Sequence, residues 1–131
     1  MSPHTVLITG GSSGIGLAAA IEYAKRGAHI TIVARNQKKL DAGVAKIREH
    51  LHEGMIARTI SCDTSASYEE CKKKLVNGDI RPVDVLVNSA GISVAGAFDE
   101  LPVEEFSKMI QTNVRTTINN FAYFAQILIC A

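Results

Sequence analysis

A doubly wound α/β fold with a parallel sheet is predicted by three observations in this 131-residue sequence. Short apolar runs alternate with helix-prone stretches from Thr5 to beyond Pro102. The runs are apolar throughout, as expected for parallel strands covered on both faces. The first run leads directly into Thr9-Gly10-Gly11-Ser12-Ser13-Gly14-Ile15-Gly16. A loop in that place lies at the carboxyl edge of the sheet, where open α/β folds bind ligands.

Each element has its own signal. Thr5 to Thr9 is rich in β-branched residues and reads as the first strand. Ile15 to Arg26 is alanine-rich and helix-prone, and Gly27 is a natural stop. His29 to Ala34 (HITIVA) is the second strand. Leu40, Val44, Ile47 and Leu51 recur at offsets of four, three and four, the spacing of one helix face. Met55 to Cys62 reads as the third strand. Tyr68, Cys71 and Leu75 mark a third helix that closes at Asn77-Gly78. Pro82 punctuates, and Val83 to Val87 is the fourth strand. Pro102 sits near the start of another helix. Phe106, Ile110, Val114 and Phe121 carry its periodicity onward, leaving open a break along the way.

This strand–helix repeat has the interval of βαβ units, whose right-handed crossovers place helices on both faces of the sheet. The expected strand order is 3-2-1-4, with the fourth strand as an exposed apolar edge. No linker, repeat or low-complexity segment divides residues 1–131, which read as one incomplete domain, with 118–131 either a genuine helix or a divergent tail.

Composition excludes several classes. The chain is 47% hydrophobic and 21% charged, ordinary for a soluble globular protein. A net charge of +1 gives no bulk attraction to nucleic acid or anionic membrane. Cys62, Cys71 and Cys130 lack metal-type spacing and read as reduced, buried thiols. Met1-Ser2-Pro3-His4 leads straight into a strand, so no signal peptide is expected. No apolar stretch reaches the roughly 18 residues of a membrane helix, and the apolar tail from Phe121 is too short.

The glycine loop is the first candidate site. Its ordered glycines read G-x-x-x-G-x-G rather than G-x-G-x-x-G. Glycines there permit a tight turn and close approach of a ligand to the backbone. The following helix offers free N–H groups and a positive dipole end. Ser12 and Ser13 add hydroxyl donors. The alternative is a tight turn that binds nothing. No Gly-Lys-Ser/Thr follows, which excludes a P-loop.

The ends of the later strands add to it. An acidic residue after the second strand would hold the ribose 2′-OH of NAD, and an arginine would accommodate the 2′-phosphate of NADP. Arg35 stands there, 19 residues beyond Gly16, and Lys39 lies four further on. Both are alternatively solvated surface charges. Asp63, after the third strand, either accepts from an adenine amino group or caps the next helix, as Thr64 or Ser65 could also do. Asn88-Ser89-Ala90-Gly91 ends the fourth strand. Its small residues would let a ribose approach the backbone, and Asn88 could tie neighbouring loops; the alternative is an ordinary turn.

Together these motifs resemble the short-chain dehydrogenase/reductase family, which has a Rossmann-type fold. The family's T-G-x-x-x-G-x-G is Thr9 to Gly16, its aspartate after the third strand is Asp63, and its N-N-A-G appears as Asn88-Ser89-Ala90-Gly91. Its helix asparagine is Asn113, after Ile110-Gln111-Thr112, and the match runs to about Thr117. TGGSSGIG, ITIVARN with Lys39, and VDVLVNSAGISVAGAFDEL are most similar to the branch that reduces 3-ketosphinganine to sphinganine. The resemblance implies an NADPH-dependent reductase of a long-chain sphingoid ketone, on the cytosolic face of the endoplasmic reticulum membrane and often homo-oligomeric. It implies that Gly10, Ser12, Ser13, Gly14, Ile15, Gly16, Arg35, Lys39, Asp63, Asn88, Ala90 and Gly91 hold NADPH. Asn113 would help hold a water in the proton relay.

The chain departs from the family in its catalytic residues. The family's chemistry uses a serine, and a tyrosine and lysine spaced Y-x-x-x-K well beyond the fourth strand. Only Tyr68 and Lys72 have that spacing here, in a charged helix before the fourth strand and away from the predicted site. The expectation is a cofactor-binding half without the catalytic residues. The alternatives are a truncated nucleotide-binding or interaction module, or a generic short-chain reductase with another substrate. A methyltransferase of similar fold would favour an acidic residue where Arg35 stands.

Overall fold

A computed structural model describes the backbone of residues 3–65, 68–78 and 82–130, and their side chains except those of 68 and 124–130. The strands are β1 (Thr5–Thr9), β2 (His29–Ala34), β3 (Ala57–Ser61) and β4 (Val85–Asn88). The helices are α1 (Gly14–Lys25), α2 (Gln37–Arg48), α3 (Tyr68–Asn77), α4 (Val103–Ile110) and α5 (Thr116–Cys130). A π-helical turn, Gln111–Arg115, joins the last two. All strand pairs are parallel and the order is β3-β2-β1-β4, as the sequence predicts.

Strand alternation divides the core into two layers. Val6, Ile8, Ile30 and Ile32 face α1 and α2, against Ala20, Ala24, Leu40, Val44 and Ile47. Leu7, Val33 and Ile60 face the other way, against Cys71, Leu75 and Tyr123. With both faces covered, β1 has all five residues buried, which is why it reads as an uninterrupted apolar run. The alanines of α1 let that helix pack close to the sheet. It stops where Gly27 takes a φ of +77°, while Gly27 N–H bonds Ala24 O and Ala28 N–H bonds Tyr23 O. That pair of bonds is a Schellman cap.

Boundaries differ from expectation at two strands. β3 begins at Ala57 rather than Met55, because residues 53–54 turn at Gly54 with a φ of +79° and Ile56 N–H donates to His29 Nδ1 at 3.1 Å. β4 begins at Val85 rather than Val83. Asp84 closes the sheet's lower edge, its carboxylate accepting from Thr5 N–H at 2.7 Å. β4 pairs only with β1 among the described residues, so its other edge is open.

The expected helical stripe turns outward. Ile110, Val114 and Phe121 are exposed, whereas Thr116, Asn120 and Tyr123 are buried. The π turn provides the break and accompanies this change of face. The tail predicted over 118–131 is helical to Cys130, and its side chains beyond Tyr123 lie outside the described residues. Cys62 and Cys71 are buried free thiols; the side chain of Cys130 is outside the described set. No helix among the described residues is long and apolar enough to cross a membrane.

The glycine loop is already coupled to the core here. A Cβ on Gly11 would lie 2.5 Å from Ile32 Cγ2. Gly11→Ala alone should destabilise the chain by ~1–3 kcal/mol through overpacking. Ile32→Ala alone should cost ~2–5 kcal/mol through the cavity it opens. The double variant should lose less than the sum, because the alanine methyl occupies space that Ile32 vacates. Urea denaturation of the four proteins measures the coupling, and strict additivity would contradict this packing.

Candidate functional site

The carboxyl ends of all four strands open into one cavity of ≈ 590 Å³. Its floor is the loop between β1 and α1. Gly10 has a φ of +68°, and its N–H bonds Val33 O at 2.8 Å. A Cβ there would come within 2.7 Å of Ser89 O and 2.8 Å of Ala90 Cα, so only glycine lets the first and fourth loops meet. A Cβ on Gly16 would stand 2.4 Å from Gly10 O, so this glycine sets α1 tightly against its own loop. Gly16 is buried and does not itself line the cavity.

The start of α1 is kept available for a ligand. Ser13 occupies the N-cap but makes no side-chain capping bond, and the first turn holds no acidic residue. Ser12, Ser13, Gly14 and Ile15 line the cavity. Uncapped N–H groups and the helix dipole therefore face it beside two hydroxyls, a setting suited to an anion.

Arg35 and Lys39 form the second wall. Between them Asn36 caps α2, its Oδ1 accepting from Lys39 N–H at 3.0 Å. Among the described residues neither cationic side chain makes a hydrogen bond or ion pair, although the Arg35 charge acts on Asp63. Asp63 lies on the cavity wall and caps its own turn: Oδ1 accepts from Ser65 N–H at 2.9 Å and Ser65 Oγ–H at 2.6 Å. Its other oxygen has no protein hydrogen bond among the described residues. Burial works to raise its pKa, but the two Ser65 bonds and then Arg35 hold it below the ordinary value. The bond to Ser65 closes the turn at 63–65 and does not cap α3, which begins at Tyr68; the second oxygen is left as an acceptor.

The fourth wall is Ser89, Ala90, Gly91 and Ile92. Asn88 stands outside it and ties loop to helix, its Oδ1 accepting from Asn120 Nδ2 at 3.0 Å. Asn113 spends its amide on Ile92, accepting from Ile92 N–H at 2.8 Å and donating to Ile92 O at 2.9 Å.

Sequence reading missed the π turn's part in the site. Gln111 Nε2 donates to Ser65 O at 2.9 Å, Thr112 lines the cavity, and Thr116 Oγ1 donates to Thr64 O at 2.9 Å. Neighbouring residues thus hold the third and fourth loops from behind. Thr116 and Asn120 stand at helical spacing, but they lie among other polar residues from Gln111 to Asn120, so nothing local singled them out. Lys72 lies on α3 and does not line the cavity; the side chain of Tyr68 is outside the described residues.

Uncapped donors at the α1 terminus, with two cations and a carboxylate oxygen that have no hydrogen-bond partner among the described residues, fit an anionic dinucleotide. Such a site, at the carboxyl edge of a sheet ordered β3-β2-β1-β4, is where doubly wound α/β proteins of the Rossmann type bind their ligands. The chain belongs to the short chain dehydrogenase family, whose sequence profile matches residues 4–130. It is 43% identical over 111 residues to 3-ketodihydrosphingosine reductase of Mus musculus, covering 82% of this chain and 33% of that protein. The 3-dehydrosphinganine reductase of Danio rerio is 39% identical over the same coverage. The chain thus spans about one third of the length of these relatives. Among solved structures, a short-chain type dehydrogenase/reductase from Mycobacterium marinum matches with a TM-score of 0.87 at 30% identity, over 98% of this chain and 51% of that one. An actinorhodin polyketide ketoreductase with NADPH matches with a TM-score of 0.85 at 30% identity, over 95% and 47%.

Two predictions concern the third loop. The Asp63 carboxylate has a folded pKa below its unfolded value of about 3.9. Its contribution to stability is complete above the unfolded value and is lost as pH falls through the folded one. Asp63→Asn should therefore lower the urea midpoint at neutral pH and flatten its fall below about pH 4; parallel pH profiles for both proteins would contradict this. Cys62 also lines the cavity, yet its thiol is held well above its ordinary pKa, first by a hydrogen bond with Cys71 and then by burial. Iodoacetamide at neutral pH should leave Cys62 unmodified in the folded chain and label it after denaturation, as peptide mass spectrometry reads directly.

Proposed function

We propose that this chain is the cofactor-binding half of an NADPH-dependent carbonyl reductase that converts 3-ketosphinganine to sphinganine. The observation that carries the cofactor reading is the pair Arg35 and Lys39 on the cavity wall after β2. An NAD-selective site has a carboxylate there; two cations suit the 2′-phosphate of NADP. The relatives' names support the substrate, and a long-chain sphingoid ketone at the cytosolic face of the endoplasmic reticulum membrane belongs to the same reading.

Bound NADPH supplies the hydride. This chain's own residues hold the cofactor. The N–H groups opening α1, with Ser12 and Ser13, take the pyrophosphate. Arg35 and Lys39 take the 2′-phosphate by charge-assisted hydrogen bonds. The free oxygen of Asp63 takes the adenine amino group, and Ala90 and Gly91 let a ribose lie against the backbone. Gly16 and Asn88 act one step back, by seating α1 and by bracing the fourth loop. Asn113 braces Ile92 with one donated and one accepted bond, and helping to hold a water of the proton relay belongs to the same reading.

Turnover requires a serine and a Tyr-x-x-x-Lys pair beside the nicotinamide. The only pair of that spacing, Tyr68 and Lys72, belongs to α3. On this reading the chain binds NADPH but does not turn over ketone by itself. That same observation favours a second reading, a nucleotide-binding module with no reductase activity of its own.

Calorimetric titration with NADPH and NADH tests the proposal. NADPH should bind the tighter of the two. Arg35→Asp should weaken NADPH by about ten- to hundredfold, the range of one charge-assisted hydrogen bond, with little change for NADH. Equal affinity for both cofactors, or unchanged NADPH affinity in the folded variant, would reject the cofactor assignment. Reduction of 3-ketosphinganine by a longer form carrying the serine and the Tyr-x-x-x-Lys pair separates the reductase from the module.

A further inference from the structure

The Arg35–Lys39 segment leaves the sheet and must present two cations to one cavity, yet both side chains are exposed. Something has to fix the backbone from which they extend. The β2–β3 ladder reaches its last rung where Ala34 pairs with Ser61 and Cys62 N–H bonds Ala34 O at 2.9 Å. Arg35 O lies one peptide beyond the reach of that ladder. Ser61 Oγ takes it up, donating at 3.1 Å. Ser61 is itself held from behind, since Lys74 Nζ on α3 donates to Ser61 O at 3.2 Å. Asn36 fixes the far side of the segment by capping Lys39 N–H. The two cations are therefore mounted on a backbone tied at both ends, and the tie at Arg35 is a side-chain hydroxyl.

Resting on the NADPH reading above, we infer that Ser61 is a positioning residue for 2′-phosphate selectivity. It does not line the cavity. By orienting the Arg35 peptide it aims the guanidinium at the phosphate, so less rotational freedom is lost when the charge-assisted bond forms. Removing the hydroxyl frees Arg35 O to turn toward water. The guanidinium keeps its charge and loses its direction.

The test uses two ligands that differ only in the phosphate at issue, adenosine 2′,5′-bisphosphate and 5′-AMP, titrated into the 131-residue chain. The wild type should prefer the bisphosphate. Ser61→Ala should reduce that preference by about three- to tenfold, with 5′-AMP affinity nearly unchanged, as expected for one neutral hydrogen bond. Ser61→Thr, which keeps the hydroxyl, should restore the preference. A general loosening of the third loop would weaken both ligands alike and overturn the inference, as would an unchanged preference in Ser61→Ala. A wild type that does not prefer the bisphosphate would remove the NADPH reading and this inference with it. Should Ser61→Ala lose its fold, Ser61→Cys keeps the side-chain volume with a far weaker donor and gives the same two outcomes.

Discussion

The contact on which this structure depends is backbone against backbone at Gly10. The first loop, the fourth loop and the start of α1 converge there with no room for a Cβ at Gly10 or at Gly16. Side chains at either position would push the loops apart, and the cavity between them would lose its floor. The same close approach leaves the N–H groups opening α1 facing open space rather than a capping side chain. Packing and binding capacity thus have one cause. The helix is seated so tightly that its terminus becomes part of the cavity wall.

A second layer of order comes from side-chain amides and hydroxyls reaching loop backbone. Asn113 clasps Ile92, Gln111 and Thr116 hold residues 64 and 65, and Asn120 braces Asn88. All four belong to the π turn and the helix after it. Polar groups buried without partners cost free energy, so Thr116 and Asn120 tolerate burial only because the loops satisfy them. The π turn and the helix after it therefore hold the loops that follow β3 and β4. Among the described side chains of that helix, Tyr123 joins the core while Ile118 and Phe121 face outward, Phe121 70% exposed.

Charge is distributed with the same economy. The net charge of +1 gives the molecule no general anion affinity. The positive charge on the cavity wall is local instead: it comes from Arg35 and Lys39, on a backbone tied by Ser61 and Asn36. Asp63, on the cavity wall after β3, gives one oxygen to its own turn, and among the described residues its other oxygen accepts no hydrogen bond. Local hydrogen bonding to backbone, more than ion pairing, sets the geometry of this site.

The sequence by itself determined the alternation of strands and helices and the position of the glycine loop. Those features are local: apolar runs covered on both faces, a Gly27 stop and a helix face at Leu40, Val44 and Ile47 each leave a signature within a few residues. It also placed Arg35 and Asp63 just beyond strand ends and Lys39 in the first turn of α2, because strand ends in a parallel sheet fall on one edge. Tertiary structure alone decided which of the site residues reach the cavity and which brace it. Gly16 and Asn88 turn out to support the walls, and Ser61, Gln111 and Thr116 enter the account only through contacts 26 to 52 residues away in the chain. The outward turn of Ile110, Val114 and Phe121 belongs to the same class. Periodicity reports that a helix has an apolar stripe, but which face meets the sheet depends on partners that no local pattern contains.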